Sequence, residues 1–210
     1  MPLIRTCKTN EYQWGIWKIE ESEEELISLL SFSKETIDQA LSYATPVRRK
    51  EFLAVRSLLY KMKGELPEIS YNEFGKPFLK DESYISISHT KATYAAVILS
   101  SNERCGIDIE MKHDRVRKVA SRFISPEEQL FLSADQAVEL EQLLIIWSAK
   151  ETLFKSIDAP EIDFLKQMLT SAFIPEPGIH SFGVTEYKSI PAWHGTMNYL
   201  LDEDFVMTWM

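Results

Sequence analysis

Thr45-Pro46-Val47-Arg48-Arg49-Lys50-Glu51-Phe52-Leu53-Ala54-Val55-Arg56-Ser57-Leu58-Leu59-Tyr60-Lys61-Met62-Lys63-Gly64 reads as one long helix with both ends marked. Thr45 is a capping side chain, Pro46 suits the first helical position, and Gly64 ends the run. Phe52, Val55, Leu59 and Met62 recur at helical spacing and form an apolar stripe. Arg48, Arg49, Lys50, Arg56, Lys61 and Lys63 fall on the other faces, making this the one strongly basic element. Upstream, residues 12–19 read as a strand rich in Trp and Ile. Ser22-Glu23-Glu24-Glu25 forms a capping box for a short helix, and a second short helix starts after Ser33. Downstream, strands are expected at Ile69–Tyr71, 84–88 and 93–99, with a turn at Asn72-Glu73-Phe74-Gly75.

The same order then recurs. Residues 105–109 read as a strand, Ser125-Pro126-Glu127-Glu128 as a second capping box, and 138–157 as a second long helix ending before Asp158-Ala159-Pro160. Strands at 182–187, 196–200 and Phe205–Trp209 close the chain. No residue-level identity links the halves; the repeat lies in element order alone. It predicts an α+β fold of two similar lobes, residues 1–103 and 104–210, each with a long helix and a sheet of three to four strands.

Composition narrows the function classes. The 210 residues are 45% hydrophobic and include 11 Phe, 8 Tyr and 5 Trp, which excludes a disordered chain. The net charge of -9 gives no general attraction for a phosphate backbone, so nucleic acid is not the expected partner. No apolar run approaches the ~18 residues of a membrane span, and no apolar segment follows Met1-Pro2-Leu3-Ile4-Arg5 as in a secretory signal. Cys7 and Cys105 belong to no metal-binding pattern, and two reduced thiols of a cytoplasmic protein are a simpler reading than one long-range disulfide. His89, His113, His180 and His194 lack the spacing of a zinc site, so any metal would be held by carboxylates.

Three clusters carry possible chemistry. In Gly106-Ile107-Asp108-Ile109-Glu110, strand alternation points Asp108 and Glu110 to one face and Ile107 and Ile109 to the core. Adjacent carboxylates repel, and a hard cation such as Mg2+ would relieve that; a solvated acidic face is the simpler account of the pentapeptide alone. In Trp147-Ser148-Ala149-Lys150-Glu151-Thr152-Leu153-Phe154-Lys155, Trp147, Glu151 and Lys155 share a helix face. Glu151 is placed to add a third carboxylate and Lys155 to neutralise a phosphate, although a surface Glu–Lys pair explains the spacing too. Gly75-Lys76-Pro77 followed by Ser86-Ile87-Ser88-His89-Thr90 offers a turn and a strand end able to meet an anion. Ser88 and His89 are no catalytic dyad, since adjacent strand residues face opposite ways, and His89 alone reads as structural.

Taken in order, these motifs resemble the 4'-phosphopantetheinyl transferase superfamily, in its larger two-lobed, surfactin-synthetase-activating type. The resemblance is specific over residues 45–160 and general elsewhere, with Thr152 standing where many members have Ser. It implies two α+β halves related by a pseudo-twofold, working as a monomer. It also implies transfer of the phosphopantetheine arm of coenzyme A to a serine of an apo acyl or peptidyl carrier protein, releasing adenosine 3',5'-bisphosphate. By that resemblance Asp108, Glu110 and Glu151 hold Mg2+, and Lys155 contacts the pyrophosphate. Lys76, Ser88 and His89 bind coenzyme A, with Arg48 (or Arg49 beside it) and Arg56 as further phosphate contacts. The base is Glu128 or Glu151 acting through water, although the capping box already accounts for a Glu at 128. Arg115, Arg117, Lys118 and Arg122 supply a basic stretch for an acidic carrier.

Two other readings are open on the residues. Glu110-Met111-Lys112 has the carboxylate-x-lysine form of Mg2+-dependent nucleases, against which the acidic charge argues. A non-catalytic module binding coenzyme A or a carrier protein would keep the fold, but would have no need of three carboxylates and Lys155.

Overall fold

The computed structural model describes residues 2–73, 75–80, 83–157 and 161–210. Phe74 of the expected turn and the helix stop expected at Asp158-Ala159-Pro160 lie outside the described residues. The chain divides into two compact units, Met1–Cys105 and Gly106–Met210.

In the first unit β1 (Leu3–Lys8) and β2 (Tyr12–Lys18) precede the helices α1 (Glu23–Leu29), α2 (Lys34–Leu41) and α3 (Pro46–Lys63). Strands β3 (Ile69–Tyr71), β4 (Pro77–Leu79), β5 (Tyr84–Thr90) and β6 (Tyr94–Ser100) follow. The end signals work as read. Ser22 and Glu25 close a capping box, the Thr45 hydroxyl accepts from the Arg48 N–H, and Gly64 takes a left-handed φ of 79° to end α3. The strands form an antiparallel sheet in the order β1-β2-β6-β5-β4-β3. Trp17, Leu26, Leu30, Phe52, Leu53, Val55, Leu58 and Leu59 belong to its core. Helix α3 packs on β2 and β6. Gly15 allows that approach, since a Cβ there would stand 2.8 Å from Leu58 Cδ1 and 2.9 Å from Met62 Sδ.

The second unit runs β7 (Ile107–Met111), a 3-10 helix (Asp114–Arg122), α4 (Pro126–Gln129) and α5 (Gln136–Lys155). It closes with β8 (Met168–Thr170), β9 (Gly178–Glu186), β10 (Trp193–Leu201) and β11 (Phe205–Trp209). Its antiparallel sheet has the order β7-β11-β10-β9-β8. Without β1, the first sheet matches this strand for strand: β2-β6-β5-β4-β3. The core gathers Phe123, Leu143–Ile146, Ala149, Leu153, Phe182, Val184, Met197 and Tyr199.

The α+β architecture is therefore as expected, but the sheets are wider, with six and five strands. The strands absent from the sequence reading are β1, β4 and β8. β4 and β8 have three residues each, too few for a period-2 pattern to register, and β1 has mostly exposed side chains.

Candidate active site

The second unit builds an acidic cluster where β7 meets α5. β7 pairs with β11, placing Asp108 opposite Thr208 and Glu110 opposite Val206, and α5 packs across both strands. Lys155 Nζ donates to Asp108 Oδ1 at 2.8 Å and to the Ile107 carbonyl at 3.1 Å. Two turns earlier on that helix row, Trp147 Nε1 donates to Glu110 Oε1 at 2.8 Å. Glu151 lies between them in the row. Ile107 and Ile109 are buried, but so is Asp108 between them, so burial does not alternate along β7 as the sequence pattern suggests.

The electrostatics follow from this crowding. Burial and then the neighbouring Asp108 raise the Glu151 carboxyl to about 7; Glu110 adds to the rise and Lys155 opposes it. Burial and Asp108 also raise Glu110, against the lowering effect of the Trp147 hydrogen bond. Such a site is short of positive charge. Its donor set of three carboxylates suits a hard, oxygen-seeking divalent cation. Among the described residues, however, no three His, Cys, Asp or Glu side chains are assembled as a metal-binding group. Asp108 is engaged by Lys155 and Glu110 by Trp147, so a cation drawing in all three would have to shift those side chains.

Glu128 takes a different place. It is fully buried, and its Oε2 accepts from the Ser125 N–H and from Lys150 Nζ at 2.7 Å. Its Oε1 accepts from the N–H and hydroxyl of Thr170 at 2.9 and 3.0 Å. Lys150, 1% exposed, also donates to the carbonyls of Phe123 and Phe164. Burial lowers the Lys150 pKa while Glu128 supports its charge. The pair ties α4, α5 and β8 together. Position 150 follows from the motif; its burial does not, because nothing local distinguishes it from a surface lysine.

The first unit gathers part of the expected phosphate-binding set around a cavity of about 170 Å³. Arg48, Arg56 and His89 line it with Gly75, whereas Lys76 and Ser88 do not. Arg48 Nη1 donates to His89 Nε2, so His89 carries its proton on Nδ1, 3.4 Å from Glu51 Oε1. Glu51 also accepts from Arg48 at 3.3 Å and from the Ala92 N–H at 3.2 Å. This buried carboxylate meets both side chains and was not singled out by sequence; its one signal is being the sole acidic residue of a basic helix. Arg56 differs from the helical-face reading. It is buried, with its guanidinium 3.6 Å from the Phe52 ring centroid and Nη2 3.4 Å from the Tyr71 hydroxyl. Arg49 is tied to Glu23 at 2.7 Å and does not line the cavity, whereas Arg48 does. Ser88 is buried on β5, and the Lys76 N–H donates to Asn72 Oδ1. Lys112, the lysine of the nuclease-like triplet, is paired with Glu141 at 2.8 Å.

The chain is thus an α+β protein of two like units, the second carrying a cluster of three carboxylates and a lysine whose excess negative charge suits a cation. Residues 104–207, nearly all of the second unit, match the family model of the 4'-phosphopantetheinyl transferase superfamily. It is 36% identical over 115 residues to the 4'-phosphopantetheinyl transferase AcpT of Escherichia coli O157:H7, covering 51% of this chain and 57% of that protein. It is 33% identical over 114 residues to AcpT of Salmonella typhi, covering 52% and 59%. Over 87 residues it is 33% identical to the 4'-phosphopantetheinyl transferase gsp of Aneurinibacillus migulanus, covering 41% and 36%. These matches thus span 36% to 59% of the relatives' own lengths.

Proposed function

We propose that the chain is a 4'-phosphopantetheinyl transferase that moves the phosphopantetheine arm of coenzyme A onto a serine of an apo carrier protein. The observation carrying this reading is the Asp108–Lys155–Glu151–Glu110 cluster inside the stretch that matches the superfamily. In the reaction the serine oxygen forms a bond to the phosphorus next to pantetheine. The pyrophosphate bridge breaks, and adenosine 3',5'-bisphosphate leaves with the bridging electron pair. Asp108, Glu110 and Glu151 would hold Mg2+, which supplies charge stabilisation to the pyrophosphate when bound. Lys155 adds a positive charge for the leaving group. Glu151, on the same face of α5 as Lys155, is assigned to take the serine proton, directly or through a water. Glu128 has no exposed surface and four donors on its two oxygens, so we assign it a structural role.

Arg48 and His89 are assigned to the phosphates of coenzyme A, with Glu51 holding both in place. The exposed Arg115 and Lys118 on the 3-10 helix are assigned to the carrier protein, while Arg117 is already bound to Glu139 and to the Gln136 carbonyl. Incubation with coenzyme A, Mg2+ and an apo carrier protein tests the reading by mass spectrometry. A carrier mass gain of one phosphopantetheine group is the expected result; binding of coenzyme A without any gain would leave a binding module, and the transferase reading would fall.

A further inference from the structure

Thr208 belongs to none of the motifs, yet it stands at the join between the strand and the helix that carry the acidic cluster. It lies opposite Asp108 in the β7–β11 pair, and directly paired residues point to the same face of a sheet. Its hydroxyl, fully buried, is 2.9 Å from Ser148 Oγ and 2.6 Å from Thr152 Oγ1. Thr152 Oγ1 donates to the Thr208 carbonyl at 3.2 Å, and Ser148 Oγ to the Asp108 carbonyl at 3.4 Å. Three buried hydroxyls therefore bridge α5 to both strands, and each has an acceptor for its proton.

Ser148 and Thr152 are one turn apart, and each immediately follows a member of the Trp147–Glu151–Lys155 row. Apolar side chains of the same size would fill the space but would tolerate rotation of α5. Hydrogen bonds are directional and fix the helix's rotation about its axis. Gly106 presses on the same contact, because a Cβ there would stand 2.3 Å from the Thr152 carbonyl oxygen.

We propose that Thr208 is a positioning residue whose hydroxyl, clasped by Ser148 and Thr152, sets the rotation of α5 and so aligns Glu151 and Lys155 with Asp108 and Glu110. The kinetic part of this inference rests on the transferase reading; the geometric part does not.

Thr208→Val keeps the shape and the strand preference and removes only the hydroxyl. Two readouts separate alignment from stability. The first is the Trp147 indole N–H resonance, which reports the bond to Glu110 in metal-free protein. It should move in Thr208→Val and return in Thr208→Ser. The second is carrier modification: kcat should fall about tenfold, with the coenzyme A KM within about twofold, and Thr208→Ser should restore it. Ser148→Ala serves as the second variant if Thr208→Val folds poorly, with the same two expectations. An unmoved indole resonance together with wild-type kcat overturns the proposal, even if the melting temperature drops. If wild-type protein modifies no carrier, the transferase reading fails and the resonance alone decides: movement supports the positioning role, and no movement overturns it.

Discussion

Glu128 and Lys155 both pair with an oppositely charged partner, but burial separates their roles. Lys150 and Glu128 are 1% and 0% exposed, so removing one leaves the other charged and unpaired in the core. Glu128→Ala should lose about 3–5 kcal/mol of stability in urea denaturation. A purely catalytic Glu128 would instead lose turnover at unchanged stability. Lys155 is only part-buried against Asp108, and it faces an anionic ligand in the proposed reaction. Lys155→Ala should therefore lower kcat by at least about tenfold with the fold retained, read by carrier modification beside melting curves. Asp108→Asn removes repulsion felt by Glu110 and Glu151 but also removes the Lys155 ion pair. The two offset, so its melting temperature should stay near wild type while Mg2+-dependent turnover is lost. Cys105 is buried, and burial pushes its thiol up to about 12. Alkylation of native protein at pH 8 should label Cys7 alone, and labelling of Cys105 should require denaturant.

At the scale of elements, the two tight helix–sheet approaches differ in what they can absorb. A Cβ at Gly15 meets Leu58 Cδ1 and Met62 Sδ, the ends of flexible side chains, whereas one at Gly106 meets the Thr152 backbone oxygen. Gly106→Ala should accordingly cost about 1–3 kcal/mol by forcing the backbone, and Gly15→Ala less, compared by urea denaturation of both variants. Equal costs would mean that α5 is free to shift away from β7. The helices themselves were legible because their ends obey local chemistry: Ser22, Thr45, Ser125 and Gly64 act through bonds to residues within four positions. The start of α5 was read two residues late, at 138, because its cap is Asp135, bonding to the Ala137 and Val138 N–H groups.

For the whole molecule, a chain of net charge -9 can attract an acidic carrier only through a local basic surface. Arg115→Glu with Lys118→Glu should raise the carrier KM at low salt and leave coenzyme A binding unchanged, read by steady-state kinetics and calorimetry. The α+β class and the doubled order of elements were legible along the chain, because caps, turns and strand alternation are set by near neighbours. The sequence also put Asp108 and Glu110 on one face of a strand and Glu151 and Lys155 on one face of a helix, for alternation and helical spacing are local rules. Which polar groups are buried depends instead on packing between distant segments. Lys150, Glu51 and Arg56 look like surface charges along the chain, yet each is enclosed by segments distant in sequence. The clasp of Thr208 by Ser148 and Thr152 spans 60 and 56 positions, a separation across which no local pattern carries information, since hydrogen bonds of that kind exist only once the helix lies on the sheet.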